Sequence, residues 1–378
     1  SEHWGRELFL YGVIFIIVVV ISFSLLKLRL RKRALTNQNY LWLFAVSATF
    51  IAYAIHLKSN PEEAVHLVQY ALLAILVYRA LTHRIADNGI YIITVLITAA
   101  IGIADETLQW LTPRRVWGIP DIWLNTVAAV LATLALAKGL APGIVSGPPT
   151  RATAKLICRS ALLVVLMLGA SLLNTPQRIS WYVDNLPALD FIIDNSGVMA
   201  EYGYRYQDDE TGLFRSRLSP DDLRQTDQSR AVEAAASLDS LPSFSDYEEF
   251  LRRYTPFNDP FLHEARVRLN RRDRYLQSAA KYQDRDIEEF RRRVTIAHFE
   301  NRIMEKYFPQ TLSQSGFLLA PATVSYMKEN ALLNASYESA VSKHLLTFVS
   351  ERQVLWASLI LAAFLVLIDR WLSTKAAT

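Results

Sequence analysis

The sequence predicts an all-α protein: a polytopic transmembrane helical bundle of about seven spans carrying a mainly helical extracytoplasmic domain. Two observations predict it. Apolar runs recur at close to the ~20 residues needed to cross a hydrocarbon core of about 30 Å at about 1.5 Å of rise per residue. Charge is also unevenly divided, because residues 176–352 hold 23 Lys+Arg and 27 Asp+Glu, leaving 17 and 9 for the rest of the chain. The formal net charge of +4 over 378 residues therefore averages a basic membrane part with an acidic block. A chain 52% hydrophobic is neither disordered nor collagen-like, and a single cysteine, Cys158, excludes an intrachain disulfide.

The first span, 8–26, is almost unbroken. Its basic residues follow it and no small-residue cleavage site comes after, so it reads as an anchor with 27–39 as a basic cytoplasmic loop. A run such as Leu28-Arg29-Leu30-Arg31-Lys32-Arg33 beside a span is a topology determinant, and no nucleic-acid partner is expected. Further spans fall at 40–57, 64–81, 89–110 and 119–138, making a four-helix membrane domain over 40–140. Another lies at 156–174, within 141–175, and the last at 353–372, within the C-terminal anchor 353–378. With the N-terminus outside, 13 of the 17 basic residues beyond the acidic block lie on the cytoplasmic side. The C-terminus is then cytoplasmic, and 176–352 faces outward, into the periplasm of a bacterium whose inner membrane holds the chain.

Within the outer block, Ser245-x-x-Glu248 reads as a capping box opening a helix through Arg253. Asp259-Pro260 starts a helix to about Lys281, and Asp284–Phe308 carries Ile287, Phe290, Val294, Ala297 and Ile303 at helical spacing. Pro321 begins a helix running into the final span, whereas 181–217 reads as extended or irregular. Arg266, Arg268, Arg271, Arg272, Arg274 and Arg291–Arg293 alternate with acids, as on a solvated or inter-helix salt-bridged face, with an anion or headgroup site as the other reading. His263-Glu264 lacks the second histidine of a zinc helix, and His298 and His344 stand alone on helices as surface or packing residues.

The residues that point to chemistry lie between 62 and 125. Ionisable groups in a span are costly and face a bundle interior or a wet cavity. Here they recur at i, i+4, on one helix face: Glu62, His66 and Tyr70, then Asp105 and Gln109 with Glu106 beside them, then Asp121 and Asn125. Arg115 lies in the loop between the last two stripes, and the topology puts all of them toward the outer leaflet.

Glu62-x-x-x-His66-x-x-x-Tyr70, Asp105-Glu106-x-x-Gln109, Pro113-x-Arg115 and Asp121-x-x-x-Asn125, in this hydropathy frame, resemble the VanZ-like family of polytopic membrane proteins over about 40–140. The family usually has glycines one and two turns after the asparagine, where this chain has Ala128 and Ala132. The family is named for a protein linked to glycopeptide resistance, so the resemblance implies a membrane fold and a cell-envelope setting but no reaction.

Two functions fit. In one, the site binds or processes a lipid headgroup or lipid-linked intermediate: His66 exchanges protons, Asp105 or Glu106 acts as acid or base, and Arg115 grips a phosphate. Glu62, Tyr70, Gln109, Asp121 and Asn125 orient the substrate, or the carboxylates hold a hard divalent cation. In the other, the chain is a non-catalytic assembly or accessory subunit with protein partners on 176–352, its polar residues pairing only to fix helix packing. No phosphate loop, dinucleotide fingerprint, Cys/His zinc pattern or haem motif is present, so no cofactor is expected.

Overall fold

The computed structural model describes residues 36–57, 61–112, 115, 117–189, 191–194, 198–333 and 336–374, with positions 12, 15 and 22 before them. The described residues divide between two compact units, one within Ser1–Ser171 and Leu355–Thr378 and the other Leu172–Val354.

The first unit is built of long apolar helices: α1 Asn37–His56, α2 Pro61–Leu81, α3 Gly89–Trp110, α4 Ile119–Leu134 and α5 Arg151–Leu172. The chain returns to it with a last helix, Glu351–Thr374. Among the described residues, six helices are long and apolar enough to cross a membrane, at the six spans expected after residue 40. The anchor expected at 8–26 lies outside the described residues, apart from three isolated positions.

Local chemistry sets the helix boundaries. Asn39 accepts a hydrogen bond from the Thr36 amide at 3.1 Å, satisfying a donor at the start of α1. Asp87 accepts from the Gly89 amide at 2.9 Å, the Thr150 amide at 2.9 Å and the Thr153 hydroxyl at 2.7 Å, so one carboxylate serves the starts of both α3 and α5. Pro120 occupies the first turn of α4, where its missing N–H costs nothing. Beyond Leu134 the helix loosens into a π turn over Ala135–Leu140 and stops at Ala141, whose φ of 38° is left-handed. Gly139 in that turn lies against Leu43 of α1, closer than a Cβ would permit.

Helix α2 packs on α3 and α4, and α3 packs on α4. Small residues make this possible: Ala128 is buried among Leu67, Tyr70 and Leu124, and Ala132 meets Ala74 and Ala129. Alanine at these positions thus allows close approach of the helices. Arg159 of α5 grips Asp369 of the last helix through Nε at 3.0 Å and Nη2 at 3.4 Å, and Ser358 lies over Gly169. No residue of that last helix is buried by protein, as expected of a helix whose solvent is lipid.

The second unit is helical around a small hairpin. After α6 Pro176–Asn185, a short 3₁₀ turn and α7 Phe191–Asp194, strands β1 Tyr204–Asp208 and β2 Gly212–Ser216 pair antiparallel, Tyr206 opposite Phe214. Gly212 closes the turn at φ 69°. The stretch 181–217, expected to be extended or irregular, is therefore partly helix and partly hairpin. Helices α8 Pro220–Ser240, α9 Tyr247–Arg253, α10 Pro260–Ala279, α11 Ile287–Tyr307, α12 Pro309–Gln314 and α13 Pro321–Asn330 follow, and Glu351–Thr374 becomes α14. Phe214, Phe250, Phe261, Leu269, Ile303 and Phe308 sit in one core.

Asp259 caps α10 as expected, accepting from the Leu262 amide at 3.0 Å. Helix α9 begins at Tyr247, later than the Ser245 reading, and the reciprocal pair sits in the turn before it: the Ser243 amide donates to Asp246 at 3.0 Å and the Asp246 amide to Ser243 at 3.3 Å. Helix α13 does not run into the final span. Residues beyond it instead pair with the hairpin, the Leu213 amide donating to Tyr337 O at 2.9 Å and the Ser339 amide to Leu213 O at 2.8 Å.

Of the two readings of the arginine run, the inter-helix salt-bridged one holds for Arg268 and Arg271, which both pair with Glu300 of α11, while Arg274, Arg291 and Arg292 are exposed. Arg266, Arg268 and Arg272 are each at most 1% exposed. Arg268 donates to Glu264 at 2.8 Å, to Glu300 at 3.2 Å and to the Arg215 carbonyl at 2.8 Å. Ser339 and Tyr337 donate to the same Glu300 at 2.6 and 2.8 Å. Burial disfavours the Arg268 charge, but the two carboxylates more than offset it. His298 is buried against Phe299, a packing residue, whereas His344 lies off any helix and meets Glu201 at 2.6 Å. Arg217 also donates to Glu201, at 2.8 Å and 3.0 Å.

Two measurements check this arrangement. Glu300→Ala leaves Arg268 buried with half its counter-charge and should cost roughly 3–5 kcal/mol in chemical denaturation of the full chain in detergent, and a cost under about 1 kcal/mol contradicts the network. Burial alone would raise the Glu201 carboxyl, but the His344 hydrogen bond and the Arg217 charge hold it down at about 2. A depressed carboxylate stabilises above its free value and loses that contribution as pH falls. Roughly 3 kcal/mol should vanish between about pH 4.5 and 2 and be missing from Glu201→Gln, read by hydrogen exchange of α10 and α11 amides.

Candidate functional site

Of the polar residues expected to converge, Tyr70, Asp105, Glu106 and Gln109 meet at one end of the α2–α3–α4 cluster, with His66, Asp121 and Asn125 beside them. Tyr70 of α2 donates its hydroxyl to Asp105 of α3 at 2.9 Å. One turn further along α3, Gln109 donates to the same Asp105 oxygen at 3.1 Å and approaches Glu106 at 3.4 Å. His66 lies one turn before Tyr70, its ring stacked on the phenol with centroids 6.3 Å apart. Asp121, Asp105 and Arg115 all lie within electrostatic reach of Glu106. Asp121 sits in the first turn of α4, its carboxylate folded back over Gly118.

Asn125 completes the cluster from α4. It is fully buried and faces α3 at Gly102, where a Cβ would stand 3.4 Å from the Asn125 Cβ and 3.3 Å from Tyr70 Cε1. A position 102 without a side chain thus lets Tyr70 and Asn125 approach the same point on α3.

The cluster is only partly self-satisfied. Buried atoms without a hydrogen-bond partner among the described residues include His66 Nδ1, Glu106 Oε2 and both amide atoms of Asn125. Among the described residues Arg115 is exposed and forms no ion pair with Asp105, Glu106 or Asp121. The side chain of Glu62 and residues Pro113 and Arg114 lie outside the described residues. Among the described residues no three His, Cys, Asp or Glu side chains gather as a metal site.

Two contributors escape the sequence reading. Trp117 is buried in the loop before α4, with its Nε1–H unpaired among the described residues. Gly102 lies four residues before Glu106, on the same face of α3, and that spacing is the available signal. An open groove of about 580 Å³ runs along α1 over Ala48, Thr49, Ala52, Tyr53 and His56, and Tyr53 also packs against the Tyr70 cluster.

Fold and site together define a class: a membrane protein of several spanning helices with a polar cluster at one end of its bundle. Residues 8–140 match the family model VanZ/LLP1, so this part of the chain is similar to that family. No curated protein and no solved structure matches the chain.

Tyr70→Phe tests the geometry, since it removes the hydroxyl that α2 gives to Asp105 while keeping the ring. The buried acceptor left to Gln109 should lower stability by about 1–3 kcal/mol in thermal unfolding of the detergent-solubilised chain. An unchanged midpoint contradicts a bonded α2–α3 seam.

Proposed function

We propose that the VanZ-like domain binds or processes the headgroup of a cell-envelope lipid, or a lipid-linked intermediate, at the outer leaflet of a bacterial inner membrane. The observation that carries this is the set of unpaired buried atoms on His66, Glu106 and Asn125 beside the Tyr70–Asp105–Gln109 chain. A network built only for packing satisfies itself, because each buried polar group left unpaired costs on the order of 1–3 kcal/mol. Arg115, exposed and free of ion pairs among the described residues, supports a phosphate contact through its planar fork. The groove along α1 supports an acyl or prenyl tail arriving from the side.

In this reading Arg115 holds the phosphate, Asn125 and Gln109 orient the group attached to it, and Tyr70 keeps Asp105 in place. His66 and Glu106 are the groups positioned to move a proton. The basic residues flanking the spans support an N-terminus outside, a cytoplasmic C-terminus and an outward-facing Leu172–Val354 unit.

A second reading, an accessory subunit docking partners on the outer unit, is favoured by one observation: Leu172–Val354 is compact with its own core. The two separate experimentally. Endogenous lipid retained by the purified full chain after detergent washing is quantified by mass spectrometry for wild type, Arg115→Gln and His66→Ala. The headgroup reading expects a retained phosphate-bearing lipid, reduced about tenfold or more by Arg115→Gln, from the loss of a charge-assisted contact. Equal retention by all three chains, with a partner lost from the His66→Ala preparation, supports the accessory subunit instead.

A further inference from the structure

The unpaired atoms of the site differ in hydrogen-bonding sense, and that difference selects a ligand. Asn125 Nδ2 and Trp117 Nε1 can only donate, whereas Asn125 Oδ1 and Glu106 Oε2 accept. All belong to side chains almost closed to solvent: Asn125 at 0%, Glu106 at 1% and Trp117 at 6% exposure. Asn125 and Glu106 share one neighbourhood, since Asn125 faces Gly102 and Glu106 follows Gly102 by one turn of α3. Trp117 lies in the loop leading into α4, one residue before Gly118, over which the Asp121 carboxylate folds back.

Three kinds of headgroup chemistry meet this pattern differently. A phosphate only accepts and is negatively charged, so Asp105, Glu106 and Asp121 disfavour it in the interior and leave it to Arg115 at the edge. An ammonium group suits the carboxylates but only donates, which leaves Asn125 Nδ2 and Trp117 Nε1 unpaired. A hydroxyl donates and accepts at once, and several hydroxyls on one frame meet both kinds of atom.

We propose that the buried part of the site receives a polyhydroxyl group, a sugar or polyol, whose linking phosphate stays outside on Arg115. This rests on the headgroup reading above and narrows it to one substrate class.

The test uses the full chain in phosphatidylcholine nanodiscs doped in turn with phosphatidylinositol, phosphatidylglycerol, phosphatidylethanolamine or phosphatidic acid, with bound lipid counted by native mass spectrometry. Phosphatidylinositol and phosphatidylglycerol should be retained about tenfold or more above the other two, the scale set by leaving one buried polar atom unpaired. Trp117→Phe and Asn125→Leu should erase that preference and keep binding at the phosphatidic acid level, while Arg115→Gln should weaken every anionic lipid alike. Trp117→Phe removes the N–H while keeping an aromatic ring, and guards against a folding defect at Asn125. Phosphatidic acid or phosphatidylethanolamine retained as well as phosphatidylinositol overturns the hydroxyl assignment and leaves the headgroup reading standing. No retention of any doped lipid overturns both.

Discussion

At 2.9 Å the Tyr70 hydroxyl donates to Asp105 across the seam between α2 and α3, in surroundings where an unpaired polar group costs on the order of several kcal/mol. That bond needs both helices close together and rotated so that one face of each carries the polar stripe. Gly102 supplies the closeness on α3, Ala128 and Ala132 supply it on α4, and the alternation of polar and apolar positions supplies the rotation. The rest of the cluster follows from these two conditions. Gln109 reaches Asp105 because it lies one turn along, and Asn125 reaches Gly102 because α4 packs where no side chain intervenes.

The Leu172–Val354 unit solves a different electrostatic problem by similar means. Three arginines of α10 are buried, and Arg268 is surrounded by acceptors from α10 itself, from α11 and from the hairpin. A buried guanidinium costs more than it contributes unless every donor finds a partner of good geometry. Here Ser339 and Tyr337 converge with Arg268 on Glu300, so the positions of α11 and of the segment around Ser339 are fixed by the same charge. Arg266 is held otherwise. It donates to the carbonyl of Ser243 at 2.9 Å and lies over the ring of Phe317 at 5.2 Å.

The spanning helices are legible in the sequence because a bilayer demands length and apolarity that few other structures need, and the six described ones fall where the apolar runs do. The i, i+4 stripes are legible for the same local reason, since the spacing alone puts Asp105 with Gln109 and Asp121 with Asn125. What the sequence conceals is non-local. Nothing near Arg268 in the chain announces Glu300, so the sequence leaves a solvated and an inter-helix salt-bridged face equally open. Nothing near His344 announces Glu201, so that histidine reads as solitary. Trp117 escapes notice because a loop residue has no periodicity to mark its burial. Helix α13 reads too long because the hydrogen bonds that divert the chain after it belong to the hairpin, more than a hundred residues earlier.

The same diversion sets the order in which the Leu172–Val354 unit is completed. The amide of Leu346 donates to Glu201 O and the amide of Gly203 to Leu346 O, while His344 closes on Glu201 across 143 positions of chain. Contacts this distant in sequence are among the last that a growing polypeptide can make, and closing so long a loop is slow. The hairpin edge and the His344 contact therefore wait until almost the whole unit has been synthesised, although Arg217 reaches the same Glu201 carboxylate across only 16 positions. The unit is thus closed by the segment immediately before α14, which brings the two ends of the Leu172–Val354 chain together.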